Sequence, residues 1–417
     1  MEFKKLFEPI KIGSVEIKNR IAMSPMNVHY SQNGYVTEQD ICFNAARAKG
    51  GAGLIITGAT LPSKRAADQQ DMMIHYIYKA THVTGMADLT ETIHHFGAKV
   101  FVQFSPGFGR QQRNCNTQSW APSPIPYPLD AQKTADNYPE VLKGYAPLWV
   151  KRPPIIPREM TIDEIKQDQE DIIKAVDLAL LAGFDGIHLH ACHGYLIFQF
   201  LSPCTNIRTD QYGGSLENRA RYLVEMVAKI RREFGSTLPI QVRLSGAEHM
   251  DGGLTEEDSR EIAKMTVAAG ADSIFLSDGC KENYKYLYPE KDNLHILEEQ
   301  GKKLRDAAKV PIISFGIHGP ELCEKAVSDG QVDMVGLGRS LLADPEWPNK
   351  VREGRIDEIV HCKRDDFCVV SVAMEGGIRC SSNPNLGRER YMPEYWPTKR
   401  MAKVPEVLRR IRYGSKE

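Results

Sequence analysis

Short apolar and β-branched runs alternate along this chain with longer segments whose apolar positions recur at helical spacing. The runs fall at residues 19–23, 53–57, 99–104, 186–190, 239–244, 273–276, 311–315 and 333–337, and read as eight strands. Residues 163–182 carry Ile165, Ile172, Ile173, Val176 and Leu180 on one helical face, and residues 215–234 repeat the pattern after Gly213-Gly214. Eight strand–helix repeats predict an α/β fold, a parallel sheet closed into a (β/α)8 TIM barrel rather than an open doubly wound sheet. No Gly-x-Gly-x-x-Gly follows the first run, which counts against a dinucleotide-binding half. Gly336-Leu337-Gly338 is a fragment of that pattern at the end of the last strand.

Two segments break the rhythm. Residues 111–156 are rich in Pro, Gln and Asn and carry Trp120, Tyr127, Tyr138, Tyr145 and Trp149. A connection longer than ~15 residues is functional or disordered, and its aromatic content favours a lid. Residues 349–417 form a C-terminal extension with three cysteines and a basic, helix-prone tail at 408–412, leaving residues 1–348 for the barrel.

Composition narrows the function. With 417 residues, 42% hydrophobic and 26% charged, the chain has the make-up of a soluble globular protein. A formal charge of −1 offers no basic footprint for nucleic acid or an anionic membrane. The start, Met1-Glu2-Phe3-Lys4-Lys5, leads into no apolar signal segment, and no run reaches the ~18 residues that span a bilayer. Nine cysteines, an odd and scattered set, suit a reducing cytoplasm. The expected partner is a small molecule, and the expected assembly a homo-oligomer.

Candidate chemistry collects at strand ends. Residues 186–196 place His190, His193 and Tyr195 just past an apolar run, a set suited to proton-coupled chemistry on a polarised small molecule. The competing reading is a buried strand with hydrogen-bonded histidines. In a barrel, phosphate binds at the loops after strands seven and eight, where this chain has Gly316 and Gly338-Arg339. Gln103 and Arg243 end strands three and five, and polar groups aimed into a barrel need partners.

A resemblance then enters. Leu6-Phe7-Glu8-Pro9-Ile10-Lys11-Ile12-Gly13 and Asn19-Arg20-Ile21-Ala22-Met23-Ser24-Pro25-Met26 resemble the opening of the Old Yellow Enzyme family of FMN-containing ene-reductases and NADH:flavin oxidoreductases. The stretch from His190-Ala191-Cys192-His193-Gly194-Tyr195-Leu196 through Gln199-Phe200-Leu201-Ser202-Pro203 to Tyr212-Gly213-Gly214-Ser215-Leu216-Glu217-Asn218-Arg219 resembles its signature. The likeness covers roughly residues 5–348.

The resemblance implies FMN, with NADH or NADPH as reductant. It sets Ser24, Pro25, Met26 and Asn27 along the flavin ring, Gly58 or Ala59 at its edge, and Gln103 on the pyrimidine. Arg243 would face N1 and O2, and Gly316, Gly338 and Arg339 would hold the phosphate. His190 and His193 would hold a substrate carbonyl, so that hydride reaches the β-carbon of a conjugated C=C and Tyr195 protonates the α-carbon. The implied substrate is an enone or enoyl thioester, and the aromatic insertion suggests one larger than a simple enone.

Departures accompany the likeness. Asn27 stands where the family usually has Thr or Cys, Ser105 where many relatives have His, and His188 is expected as a hydrogen-bonded core residue. Cys362, Cys368 and Cys380 resemble the cluster motif Cys-x2-Cys-x3-Cys-x11-Cys of the 2,4-dienoyl-CoA reductase and trimethylamine dehydrogenase branch. One cysteine and one residue of spacing are gone, so a cluster-free relic is expected in place of an iron–sulfur site, with Asp365 the one candidate for an unusual fourth ligand. The sequence stops at 417, so that branch's distal FAD/NAD domain is expected to be absent. A flavin dehydrogenase or demethylase running oxidatively, and a non-catalytic or electron-transfer subunit, stay open as alternatives.

Overall fold

The computed structural model describes residues 2–70, 72–112, 114, 116–127, 155–289, 292 and 296–396. All eight expected strands form: β1 (Ile21–Met23), β2 (Leu54–Leu61), β3 (Lys99–Phe104), β4 (Gly186–Ala191), β5 (Ile240–Ser245), β6 (Ser273–Ser277), β7 (Ile312–Ser314) and β8 (Met334–Leu337). Each is parallel to its neighbours, and β1 pairs with both β8 and β2, which closes the ring. Strands buried on both faces read as continuous apolar runs, which is why they were legible.

The ring is filled from inside. Ala22, Leu54, Ile56, Phe101, Phe275, Ile313 and Met334 form an interior cluster with Ile12 and Ile17. Those two belong to an antiparallel hairpin, Ile10–Ile12 with Val15–Ile17, that plugs the N-terminal mouth. Strands of three residues carry too little alternation to be read from sequence, so this hairpin was not expected. Gly336 makes room for the filling: a Cβ there would stand 2.6 Å from the Phe275 ring.

Around the barrel lie α1 (Glu38–Lys49), α2 (Val83–His95), α3 (Ile162–Leu181), α4 (Leu216–Phe234), α5 (Glu256–Ala268), α6 (Lys302–Ala308), α7 (Pro320–Ser328) and α8 (Trp347–Arg352). Thr37, Thr161 and Thr255 start α1, α3 and α5 with capping boxes completed by Asp40, Glu164 and Asp258. Helix α3 buries Ile165, Ile172, Ala175, Val176 and Ala179 against the sheet. Ile173 is only half-buried and Leu180 is exposed, so the seam is narrower than the sequence pattern suggests.

Of the insertion at 111–156, the base is described: Trp120–Ala121 pairs in parallel with Arg158–Glu159. Tyr138, Tyr145 and Trp149 lie outside the described residues, as does the tail at 408–412. The extension packs back onto the barrel. Ile378 N–H donates to Val28 O (3.0 Å), and its carbonyl accepts from the Tyr30 hydroxyl (2.6 Å). Arg47 of α1 meets Glu389 at 2.6 Å, with side chains 0% and 3% exposed. Among the described residues no helix is long and apolar enough to cross a membrane.

Candidate active site

Strand β4 sets the site. Its alternation aims His188 and His190 into the barrel, while Ile187, Leu189 and Ala191 join the apolar packing under the helices. Parallel pairing brings Gln103 and Gln241 level with His188, and Arg243 level with His190. Two polar layers result.

The lower layer is bonded through His188 Nδ1 and Gln241, while His188 Nε2 and Gln103 Nε2 have no partner among the described residues. His188 Nδ1 lies 2.7 Å from Gln241 Oε1, and Gln241 Nε2 donates to Ser273 Oγ at 2.9 Å. Burial, then the Arg243 charge, pushes His188 down to about 3, against the Gln241 hydrogen bond. His188 is therefore a neutral core histidine, placed below the chemistry.

The upper layer lies at the C-terminal mouth. His193 and Gly194 both adopt left-handed backbone conformations (φ 62° and 80°), turning the chain sharply after β4. The turn carries the His193 ring back to 5.2 Å from His190, and the Tyr195 ring stands edge-on to His190 at 5.0 Å. Ser245 Oγ accepts from His193 N–H (3.3 Å), and Ser277 Oγ sits 2.6 Å from His193 Nε2. Ser277 also accepts from Arg243 Nη2 at 3.2 Å. Burial first, and Arg243 next, hold both His190 and His193 well below the ordinary imidazole range, so both are neutral. Phe108 packs on the Tyr195 ring at 4.9 Å, with the Lys281 ammonium 5.0 Å over it.

The other predicted residues ring the same mouth. Ser24 N–H donates to Leu337 O, tying the end of β1 to β8 (2.9 Å), and Pro25 and Met26 follow. Asn27 Oδ1 accepts from Ala59 N–H (2.7 Å) where the β2–β3 register shifts. Gly58 has no room for a side chain, since a Cβ would sit 2.5 Å from Met26 O. Ser24 Oγ, Gln103 Nε2 and Arg243 Nε are buried without a partner among the described residues. Buried polar atoms in native proteins find partners, and these are the donors that the flavin resemblance assigns to the ring and its pyrimidine end. Gly316 (φ 95°) and Gly338 offer backbone N–H groups at the loops after β7 and β8. The residues present fit FMN.

One predicted group is engaged elsewhere. The Arg339 guanidinium donates to Asp366 Oδ1 (3.0 Å) and to Pro289 O (2.8 Å), so it is held by the extension and by the loop after β6. Sequence reasoning missed Ser245 and Ser277, each lying one residue beyond its predicted strand. It also missed Lys281, which follows Cys280, the residue bridged to His193.

Cys192 adds a thiol to the two imidazoles: among the described residues, His190, Cys192 and His193 are the group whose metal-capable atoms lie within 4.8 Å of one another. Burial raises the Cys192 thiol to about 12, and its sulfur faces His190 Nδ1 at 3.6 Å, so hydrogen bonding accounts for the group. In the extension, burial raises the Cys362 thiol and lifts Cys368 to about 12, and both sense Cys380. Asp365 spends its oxygens on Phe367 N–H (3.2 Å) and on the Ser381 hydroxyl.

The sequence profile of the NADH:flavin oxidoreductase / NADH oxidase family matches residues 5–358. The chain is 35% identical over 400 residues to an NADH oxidase of Thermoanaerobacter brockii, covering 93% of this chain and 57% of that protein. It is 34% identical over 415 residues to a cinnamate reductase of Clostridium sporogenes, covering 93% and 59%. The fold superposes on 2-naphthoyl-CoA reductase in complex with 2-naphthoyl-CoA with a TM-score of 0.82 at 29% identity, over 93% of this chain and 58% of that one. The chain thus spans less than two thirds of each of these relatives.

Proposed function

Because the chain belongs to the NADH:flavin oxidoreductase / NADH oxidase family, we propose that it is an FMN-dependent ene-reductase acting on a C=C conjugated to a carbonyl. The observation that carries this reading is the pair of neutral imidazoles, His190 and His193, with Tyr195 edge-on to His190, Arg243 level with His190 and Gln103 in the layer below. The likeness to a cinnamate reductase and to 2-naphthoyl-CoA reductase points to an aryl-bearing acid or thioester as substrate.

Reduced FMN, when bound, supplies the hydride, with NADH or NADPH as the source. Arg243 and Gln103 would hold its pyrimidine end, where the fixed cation of Arg243 would favour negative charge. His190 Nδ1 faces Cys192, and His193 Nε2 faces Ser277. The free nitrogens, Nε2 of His190 and Nδ1 of His193, then hold the substrate carbonyl oxygen and draw electron density from the β-carbon. Tyr195 delivers its phenolic proton to the α-carbon. Burial of the His190 ring limits the access of water that would compete for the oxygen.

Anaerobic stopped-flow mixing tests the proposal. NADH or NADPH should bleach the flavin, and an aryl enone, acrylate or enoyl thioester should restore its colour. A flavin that none of these reoxidises would sink it. Substituting both His190 and His193 by Ala should weaken binding of phenolate ligands by about 10²-fold, the loss expected for two buried hydrogen bonds to a charged group. Flavin absorbance titration reads the change.

A further inference from the structure

Four carboxamides are buried where the loops after β2 and β3 meet beside Tyr195. Gln69 and Gln70 follow the short helix Lys64–Asp68, and Gln111 and Gln112 close the turn Gly109–Gln111. All four are more than nine-tenths buried, Gln69 completely.

The cluster touches the catalytic turn. Gln111 Nε2 donates to the carbonyls of Gly194 (2.8 Å) and His193 (3.3 Å). The amide oxygen of Gln69 lies against Gly107, where a Cβ would stand 3.1 Å from it and 3.5 Å from Leu196 Cδ2, on the residue after Tyr195. Asn114 N–H donates to Gln69 O (3.2 Å), which ties the insertion to the loop after β2.

Among the described residues, six amide atoms have no partner: both on Gln69, both on Gln70, and the oxygens of Gln111 and Gln112. Nothing in the flavin-face chemistry uses them. A carboxamide is neutral and offers a donor and an acceptor side by side, the complement of another amide. Arg110, on the same turn, is paired with Glu282, so no charge of its own selects a ligand.

We propose that Gln69, Gln70, Gln111 and Gln112 form a second binding subsite beside the flavin face, which takes a neutral amide-bearing arm of the substrate. This rests on the ene-reductase reading of the adjoining site, and it assigns the arm rather than the reacting bond. The arm lies beside Tyr195, and the amide cluster distinguishes an amide-bearing thioester from a bare acid or simple ketone.

Isothermal titration calorimetry of the holoprotein tests it with two unreactive ligands, the 3-phenylpropanoyl thioesters of N-acetylcysteamine and of 2-acetoxyethanethiol. They differ only in N–H against O within the arm. The amide arm should bind about tenfold tighter, the factor expected when a buried acceptor loses its donor. Gln69→Leu with Gln70→Leu should reduce that ratio to within about twofold. Equal affinities in the wild-type protein would mean that water satisfies the amides, and would overturn the proposal. A preference that survives the leucine pair would overturn it too. The wild-type comparison needs no variant, so it stands even if the leucine pair fails to fold. Binding is read without turnover, so a flavin that no enone reoxidises is scored separately.

Discussion

At the scale of single residues, three neutral imidazoles buried in one barrel make acid the vulnerable direction. His188, His190 and His193 all have pKa values depressed below their unfolded value near 6.5, first by burial and then by Arg243. A depressed histidine contributes stability that is present above the unfolded pKa and is lost as pH falls toward the folded one. Stability should therefore decline below pH ~6.5 by up to about 1.4 kcal/mol per pH unit for each histidine. Urea titrations at pH 7, 6 and 5 check this, and a flat response would contradict it. For the same reason, kcat/KM should show no histidine limb near the ordinary imidazole pKa of ~6.5. Tyr195→Phe should slow flavin reoxidation by an enone about 10²- to 10⁴-fold and spare reduction by NAD(P)H, as the two half-reactions in stopped flow would show. The histidine–tyrosine run was legible because its polar groups interrupt an apolar strand. Ser277 was not, because a serine at a strand end carries no signal until the strands are paired.

Elements obey the same division. Eight barrel strands were readable from continuous burial on both faces, and their ends shifted by only a few residues. The hairpin Ile10–Ile12 with Val15–Ile17 was not readable, since its role as a plug depends on a ring assembled from distant segments. Helix α1 shows how an ordinary element acquires a second partner late in the chain. Its Arg47 side chain is fully buried, donates to Phe43 O (2.9 Å) and Leu341 O (3.1 Å), and pairs with Glu389. Arg47→Met leaves the Glu389 carboxylate buried beside an apolar chain, which should cost about 3–5 kcal/mol. Replacing both residues, Arg47→Met with Glu389→Leu, should recover most of that loss in denaturant unfolding.

The molecule as a whole is a barrel that its C-terminal extension grips at two ends of the proposed flavin site. Ile378 pairs with Val28 just beyond Asn27, and Asp366 holds Arg339 beside the expected phosphate. Cutting the chain after Pro348 should lower the melting temperature by more than about 5 °C, given the loss of the buried pair alone. It should also reduce FMN retained per chain after gel filtration, read from absorbance; full retention would contradict the grip. None of this was visible in sequence, where the extension showed only a broken cysteine motif and its partners Val28, Tyr30 and Arg47 lay more than three hundred residues upstream.

The grip limits how this barrel can be recombined with its relatives. A chimaera joined near residue 348 would bring together an Arg47 and an Arg339 from one parent with a tail selected to meet different side chains in the other. A crossover placed after Tyr391 would inherit Asp366, Ile378 and Glu389 with the barrel they seat against, and is the boundary at which domain shuffling should succeed.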